Sequence, residues 1–408
     1  MLAVERGTIL VSYVEKSDRF ATTLVESGTF GFLPGVPSAY TQPLYAWFLA
    51  GLYWPFDRSW LVVGLAQTLV AVVTALLVLA IGAHVATPRI GVIAALVATL
   101  HPYVVWHDVH VNRELLDSLL LALLTLLALL AYDRRSPWLA AAAGAATGVA
   151  ILGNSRLLLL PLALAPYLVW RIRPPARAVG AAAVAVLAAA LVVTPWVLRN
   201  QAQVGCLAIT TDSRALWKAN NPATYEILAN GGWIDDVPEL PGVPPWPERA
   251  AEIARATGKR VPVDECAQMR FYQDRVIEFW KDEPGEKVKL SLQAVWMQWS
   301  PLLSVEADDE GQQGLSNLVQ RTVEPLFVVL LYAFAVWGAF LAPRRLVALV
   351  ALLLGFNTAM AMVFAGTVRY RAPWDFLLAL LAAFALERAW GLLRTRVRRP
   401  AADASAMR

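Results

Sequence analysis

Long uncharged runs recur along this chain, and they constrain its fold more than any other feature. Nine stretches carry no charge or almost none: 59–83, 89–106, 115–132, 137–153, 155–170, 177–198, 322–342, 346–366 and 373–393. A hydrocarbon core of about 30 Å needs roughly 20 apolar residues in a helix. The pattern therefore predicts an all-α polytopic membrane protein, with about ten spans if another helix lies at the N-terminus.

The composition agrees with a membrane protein and excludes some other classes. Hydrophobic residues make up 58% of the chain and charged residues only 16%, against about 25% charged in an ordinary soluble domain. The net charge of +4 is spread over short loops, so no nucleic-acid partner is expected. The first residues lack the pattern of a cleavable signal peptide. We expect the sequence to begin inside or just after a first membrane helix.

Arginines occupy alternate loops between the predicted spans. They are Arg134 and Arg135, then Arg171, Arg173 and Arg177, then Arg344 and Arg345, and finally Arg394, Arg396, Arg398 and Arg399. The positive-inside rule makes these loops and the C-terminus cytoplasmic. The other loops then face outward: 15–58, 107–114, 153–156, 199–321 and 366–372. The pattern predicts a multi-pass protein of the plasma (inner) membrane with its active site on the extracytoplasmic face.

The spans and loops divide the chain into predicted domains. These are an N-terminal transmembrane module, 1–198, with a catalytic first outer loop, 15–58; an extracytoplasmic loop domain, 199–321; C-terminal transmembrane helices, 322–399; and a disordered cytoplasmic tail, 400–408. In the loop domain, Asp264 is expected to cap a helix that runs to about Asp282. The segments Pro43–Phe56 and 286–299 are expected to be amphipathic helices that lie at the interface.

Both cysteines, Cys206 and Cys266, fall in this loop domain. A disulfide between them would place the segment in an oxidising, extracytoplasmic compartment. Two free buried thiols are the alternative, and the sequence leaves this choice open.

Five arginines at the outward mouths of helices run against the charge bias: Arg113, Arg156, Arg199, Arg369 and Arg371. Each is costly to hold near hydrocarbon. A single one is explained by snorkelling or by pairing with a carboxylate. As a set, they indicate a site for a phosphate or diphosphate on a lipid.

Carboxylates lie on the same side as these arginines. Glu15 and Asp18 are in the first outer loop, and Asp108, Glu114 and Asp117 lie where the 107–114 loop leads into a helix. Helical spacing allows a metal site of His107, His110 and Glu114, although a capped helix start explains the acidic residues equally well. No cofactor is firmly implied, and a divalent cation is compatible with the pattern.

No nucleotide-binding loop, nucleophile elbow or CxxC pair is present in the sequence, which argues against a nucleotide-sugar donor. Four outward stretches carry other motifs: Phe20 to Tyr45, Asn112 to Leu116, Thr194 to Asn200 followed by Leu216 to Pro222, and Arg369 to Pro373. In this order they resemble the GT-C glycosyltransferases. The likeness is to the dolichyl-phosphate-mannose protein mannosyltransferase-like group (family 39) and to the bacterial aminoarabinose transferases that modify lipid A.

The resemblance implies a GT-C-type helix bundle that moves a sugar from a polyprenyl-phosphate donor to an acceptor hydroxyl on a lipid, glycan or protein. Transfer would occur on the outer face, with inversion. In such families a first-loop aspartate is the catalytic acid or base, and the register set by Ala21 and Gly28 places Tyr13 there. Glu15 is the preferred substitute and Asp18 the second, with Glu114 orienting the acceptor or sharing the role.

Other predicted roles follow from the same loops. The expected donor-phosphate residues are Arg113, Arg199, Arg369 and Arg371 with Tyr45 and Gln42, where Gln42 stands at a position that is often lysine in the family. The expected lid or acceptor surface includes Trp217, Asn220 and Asn221.

Three other functions remain open from sequence. A flippase or transporter for a lipid-linked solute would place charges near the bilayer midplane and show two repeats, which this sequence does not show. An O-antigen polymerase or ligase also uses outer-loop arginines and a lipid diphosphate. A scaffold without catalysis would leave the clustered ionisable residues without a purpose.

Overall fold

The computed structural model describes residues 6–11, 14–301 and 322–405, with the side chains of Trp106, His107 and 395–405 excepted. Up to residue 203 the helices are α1 (Lys16–Ser27), α2 (Pro43–Phe56), α3 (Trp60–Val85), α4 (Pro88–Thr99), α5 (Pro102–His107), α6 (Glu114–Arg134), α7 (Pro137–Gly153), α8 (Leu160–Val169) and α9 (Pro175–Gln203). Beyond it they are α10 (Arg214–Lys218), α11 (Thr224–Ala229), α12 (Pro247–Thr257), α13 (Glu265–Asp282), α14 (Pro284–Trp299), α15 (Glu324–Leu341), α16 (Arg344–Val363), α17 (Val368–Arg371) and α18 (Asp375–Ser405). The described residues contain no strand, only one isolated bridge between Leu33 and Val36.

Six helical stretches in the described part of the chain are long and apolar enough to cross a membrane: Trp60–Val85, Glu114–Arg134, Pro175–Gln203, Glu324–Leu341, Arg344–Val363 and Val368–Arg394. Three shorter apolar helices, α4, α7 and α8, accompany them. Each of the nine predicted runs coincides with one of these nine helical stretches. The prediction of an all-α polytopic membrane protein is confirmed.

Two of the runs are interrupted. The run 89–106 breaks at Leu100 and His101, because the ring of Pro102 disfavours a helical conformation in the residue before it. The run 155–170 starts its helix only at Leu160, after a short 3₁₀ turn in which the Asn154 side chain accepts a hydrogen bond from the Arg156 amide. This turn brings two polar residues to the end of the bundle.

Glycines allow two helix pairs to approach at backbone distance. A Cβ on Gly144 of α7 would collide with the Ala185 carbonyl of α9, and a Cβ on Gly338 of α15 would collide with the Leu381 carbonyl of α18. Small residues at such crossings give close van der Waals packing, which holds helices together in lipid. The central helix, α6, contributes fully buried Leu121, Leu124 and Leu129 to the core.

The alternate loops separate to the two ends of the bundle. Near the end of α6, Asp133 accepts a hydrogen bond from Arg345 at 2.6 Å and lies 2.9 Å from His84 and 3.9 Å from Arg171. Glu114 begins the same helix, about 30 Å away at 1.5 Å per residue. The loop arginines therefore pair at one end, and the predicted site residues of α6 lie at the other.

The segment after α9 forms a small helical unit, α10 to α14, which we call the outer unit. Asp264 caps α13 by accepting a hydrogen bond from the Ala267 amide at 2.8 Å, and the helix ends at Asp282. The following helix leaves Val288, Leu292 and Trp296 more than half exposed, as befits an amphipathic helix at a lipid interface. The predicted helix Pro43–Phe56 is α2.

Parts of the predicted domain division fall outside the described residues. They include residues 302–321 of the loop domain, and residues 1–5 and Tyr13 near the expected first membrane helix. The final helix continues to Ser405, so it takes in most of the segment predicted to be a disordered tail. Ala401 and Ala402 favour this continuation, because alanine has the highest helix propensity.

Cys206 and Cys266 form a disulfide that joins the end of α9 to the start of α13 across 60 residues. The choice that the sequence left open is thereby decided in favour of the bridge. The cross-link holds the outer unit to the membrane helix from which it emerges.

Breaking this disulfide should destabilise the outer unit. Closing a loop of 60 residues contributes about 4 kcal/mol through the entropy of the unfolded chain. We expect the double variant Cys206→Ser/Cys266→Ser to melt at a lower temperature in detergent, and reductant to lower the melting temperature of the wild type alone. Equal melting of the wild type and the variant without reductant would contradict this expectation.

Candidate active site

Charged side chains from separate parts of the chain meet at the Glu114 end of the bundle. Arg369 donates hydrogen bonds to Glu15 and to Glu114, with a second contact to Glu114 at 3.4 Å. Arg113 Nε lies 3.9 Å from the nearer Glu114 oxygen. We call Glu15, Arg113, Glu114 and Arg369 the carboxylate–arginine cluster. It unites three of the outward loops predicted from the sequence.

Helix starts hold the cluster in place. Glu15 is the N-cap residue of α1, and its amide donates to the Val111 carbonyl at 3.4 Å. The Asn112 side chain accepts from the Glu114 amide at 2.9 Å. The Thr367 hydroxyl likewise caps α17 by accepting from the Arg369 amide at 3.1 Å. The partial positive charge of a helix N-terminus favours a carboxylate there.

A narrow pocket lies beside the cluster, lined by Glu114, Asp117, Arg156, Arg369 and Tyr370 among others. Asp117 accepts a hydrogen bond from the Asn154 amide group at 2.8 Å. Arg156 donates to the Ala365 carbonyl at 3.0 Å, and its guanidinium lies 4.0 Å from the centre of the Tyr370 ring.

Two buried atoms of this pocket have no hydrogen-bond partner in the described part of the protein. They are Asp117 Oδ1 and Arg156 Nη1. Unsatisfied buried polar atoms are costly, and native proteins hold few of them. A ligand that carries both an anionic group, for Arg156, and a hydrogen-bond donor, for Asp117, would satisfy both atoms.

Gln42 links the carboxylate–arginine cluster to the turn that carries Ser155. Its carbonyl oxygen accepts from Arg113 at 3.1 Å, and its amide donates to the Ser155 hydroxyl at 3.1 Å. Tyr45 lies deeper: its hydroxyl donates to Gln67 at 2.6 Å, and Gln67 in turn donates to the His110 carbonyl. Of these two predicted phosphate residues, Gln42 contacts the cluster directly and Tyr45 braces α2 against α3.

Burial sets the charge states at the site. It raises the pKa of Glu15 above the usual glutamate value, although the positive charge of Arg369 opposes this shift. It lowers the pKa of Arg156 to about 10, so this side chain stays charged at neutral pH. The site therefore presents a proton acceptor and fixed positive charges together.

Asp18, the second candidate for the catalytic base, has other partners. It accepts a hydrogen bond from the Tyr53 hydroxyl at 2.6 Å and a bidentate contact from Arg58 at 3.0 Å. These contacts tie α1 to the end of α2 and to the connection that follows. Asp18 is anchored outside the cluster.

Two of the predicted phosphate-binding arginines also lie apart from the cluster. Arg199 donates to the carbonyls of Ser38 at 2.8 Å and Phe30 at 3.1 Å, and so holds the first outer loop against α9. Arg371 is fully buried and donates to Asp375 at 3.1 Å and to Tyr332 at 2.8 Å.

The predicted lid residues are buried in the outer unit. Trp217 packs on Tyr272 with ring centres 5.6 Å apart. Asn220 donates to the Val363 carbonyl at 3.0 Å, and Asn221 to the Trp217 carbonyl at 3.1 Å. The Asn220 contact attaches the outer unit to α16, and none of the three residues lines the pocket beside Glu114.

The proposed metal site of His107, His110 and Glu114 includes a side chain, His107, that lies outside the described residues. His110 Nε2 lies 3.4 Å from the Thr8 hydroxyl. Among the side chains that the structure describes, no three from His, Cys, Asp and Glu are grouped so as to hold a metal ion.

Sequence reasoning overlooked Asn154. Its signal is the polar stretch Asn154-Ser155-Arg156 between two apolar runs, at an outward turn where nothing but function or pairing requires polarity. The pairing of Asn154 with Asp117 is a contact between α6 and the end of α7, which no local pattern announces.

Residues 37–198 match the family model of dolichyl-phosphate-mannose-protein mannosyltransferases. The match covers 162 of the 408 residues. The matched segment holds Gln42, Arg113, Glu114, Asp117 and Arg156, and the match agrees with the resemblance seen in the sequence.

The chain is also similar to two crystal structures of ArnT from Cupriavidus metallidurans. The form bound to undecaprenyl phosphate is 16% identical with a TM-score of 0.43, and the apo form is 14% identical with a TM-score of 0.39. Each comparison covers 91% of this chain and 72% of the other. Comparison with curated protein sequences gave no significant match.

Proposed function

We propose that this protein transfers a sugar from a polyprenyl-phosphate donor to an acceptor hydroxyl, on the extracytoplasmic face and with inversion at the anomeric carbon. The observation that carries the proposal is the convergence of Glu15, Glu114 and Arg369 beside a pocket with an unpartnered Arg156 donor. The family's own description supports the donor class, since dolichyl phosphate is a polyprenyl phosphate.

The donor phosphate would be bound by Arg113, Arg156 and Arg369. Guanidinium groups suit phosphate because their planar N–H groups form paired, charge-assisted hydrogen bonds. A lipid phosphate is already a good leaving group, so it needs charge stabilisation more than a proton. Arg199 and Arg371 are left out of this set, because the N–H groups that they use bind protein oxygens elsewhere.

Glu15 would act as the general base. As the acceptor oxygen attacks the anomeric carbon, its proton passes to Glu15, while the bond from that carbon to the phosphate oxygen breaks and the lipid phosphate leaves with the electron pair. The Glu15 side chain is 16% exposed and that of Glu114 only 6%. The more accessible carboxylate therefore faces the incoming acceptor, and Glu114 orients it.

The extracytoplasmic assignment is supported by two observations. The arginine-rich loops gather at the Asp133 end of the bundle, and the positive-inside rule makes that end cytoplasmic. The disulfide in the outer unit suits an oxidising compartment. Both observations support a position of the carboxylate–arginine cluster on the outer side of the inner membrane.

The pH dependence of transfer should reveal the base. Glu15 must be ionised to accept a proton, so activity is expected to fall on acidification through its pKa. Burial raises that pKa, with Glu114 acting in the same direction and with Arg369, Arg113 and Lys16 opposing. The acid limb of kcat/KM should therefore lie above the pH range of an exposed glutamate. A limb at or below that range would contradict the assignment.

The function itself is tested by labelling. The protein in native membranes is incubated with radiolabelled polyprenyl-phosphate mannose and with pentose and hexose analogues, and the labelled lipid, glycan or protein is identified. Transfer of label to an acceptor supports the proposal. No transfer from any of these donors, with nucleotide sugars equally inactive, would refute it.

A further inference from the structure

Arg371 occupies an unusual place for a charged residue in a membrane bundle. It is the largest fully buried side chain among the described residues, with no exposed surface. Its Nε donates to Asp375 at 3.1 Å, and its Nη1 donates to the Tyr332 hydroxyl at 2.8 Å and to the Gln298 carbonyl at 3.2 Å. One side chain thus joins the short helix α17 to α18, α15 and α14.

Other contacts hold the same short segment. The backbone of Gly366 lies so close to the Ala294 carbonyl of α14 that no Cβ would fit between them. The Asn357 amide of α16 donates to the Tyr370 carbonyl at 3.1 Å. His101 Nε2 lies 3.0 Å from the same Asp375 oxygen that Arg371 binds. The segment from Gly366 to Asp375 is therefore held by α14, by α16 and by His101.

We infer that Arg371, Asp375 and His101 are positioning residues, which hold α17 so that Arg369 bridges Glu15 and Glu114. The inference rests on the proposed function, since it names what sets the geometry of that site. Stability alone does not call for an arginine here, because a buried ion pair is often replaceable by packed apolar side chains. A fork of planar donors aimed at three oxygens does call for one.

The geometry has an electrostatic consequence at Glu15. The charged groups that act on Glu15 are Arg369, Glu114, Arg113 and Lys16, and Asp117 and the Tyr45 hydroxyl also lie within its electrostatic reach. If α17 is loosened, Arg369 moves away from Glu15 and the remaining neighbours stay. Loss of that positive charge raises the pKa of Glu15. A residue that only stabilises the bundle would not change this pKa.

Arg371→Lys tests the inference, because it keeps the charge and removes the fork. The full-length protein in lipid nanodiscs is assayed with radiolabelled polyprenyl-phosphate mannose, and the ionisation of Glu15 is followed by infrared difference spectroscopy, with Glu15→Gln to assign the carboxyl band. We expect kcat to fall by roughly tenfold or more, with a smaller rise in donor KM because Arg369, which also binds the donor phosphate, is displaced. The pKa of Glu15 should rise by about half to one unit, and Asp375→Asn should act in the same direction.

The matched control is Arg345→Lys, which weakens the ion pair with Asp133 at the opposite end of the bundle and should leave the Glu15 pKa unchanged. A lower melting temperature for Arg371→Lys with the Glu15 pKa and kcat unchanged would overturn the inference. So would a large rise in donor KM without a pKa shift, which would make Arg371 a phosphate ligand. If the wild type transfers no sugar but Arg371→Lys still raises the pKa of Glu15, the positioning role is supported and the proposed function alone is refuted.

Discussion

Glu15→Gln is expected to lower the rate of sugar transfer by about 10²- to 10⁴-fold, the usual contribution of a general base. Glutamine keeps the size and hydrogen-bonding capacity of the side chain but cannot accept the acceptor's proton. The loss should appear in kcat at saturating donor. Donor binding should not weaken, because the substitution removes a negative charge that Arg369 now neutralises.

Asp18→Asn is the control for this variant. The two carboxylates are three residues apart and both belong to the start of α1, but Asp18 pairs with Arg58 and Tyr53. We expect Asp18→Asn to lower the melting temperature and to keep the transfer rate of the folded protein. Full transfer by Glu15→Gln, or an equal loss in both variants, would remove Glu15 as the base.

Arg369→Gln is expected to damage both stability and donor binding. Without the guanidinium, Glu15 and Glu114 face each other with the partner of their ion pairs gone. Removing one partner of a buried ion pair costs about 3–5 kcal/mol, and the lower end applies here because Glu15 is partly exposed. One of the three phosphate-binding arginines is also lost. Melting temperature and KM for the polyprenyl-phosphate donor are the measurements.

A second substitution separates the two effects of Arg369→Gln. Adding Glu114→Gln removes one of the two facing carboxylates, so the double variant should regain most of the lost stability. Donor affinity should stay low, because the arginine is still absent. Wild-type melting and wild-type donor KM in Arg369→Gln would show that Arg369 has neither role. Arg345→Gln, at the Asp133 end of the bundle, should affect stability without changing donor KM.

The positions of the apolar helices along the chain could be predicted, because they depend on local sequence. A run of apolar residues either is or is not long enough to cross hydrocarbon. All nine predicted runs coincide with apolar helices, of which six have that length and α4, α7 and α8 are shorter. The Asp264 cap follows from chemistry within a few residues. The break before Pro102 is equally local, but the run 89–106 was predicted without it. The division of loops between two ends follows from the alternation of spans.

The composition of the site was only partly predictable. Charge bias selected Arg113, Arg156, Arg199, Arg369 and Arg371 as equivalent, because each stands at an outward helix mouth. The structure brings Arg113 and Arg369 to Glu114, and uses Arg199 and Arg371 to brace backbone and helices. The position of an arginine at the end of a span specifies its depth in the membrane. It does not specify which neighbouring residue the side chain contacts.

The sequence alone determined that the chain crosses the membrane repeatedly and that its unusual charges lie on one side, since hydrophobicity and charge bias act along the chain. Only the tertiary structure decided which charges meet. Glu15, Glu114 and Arg369 are separated by as many as 354 residues, and their contact depends on how α1, α6 and α17 pack around one another. Packing is a property of pairs of surfaces, so no single stretch of sequence contains it.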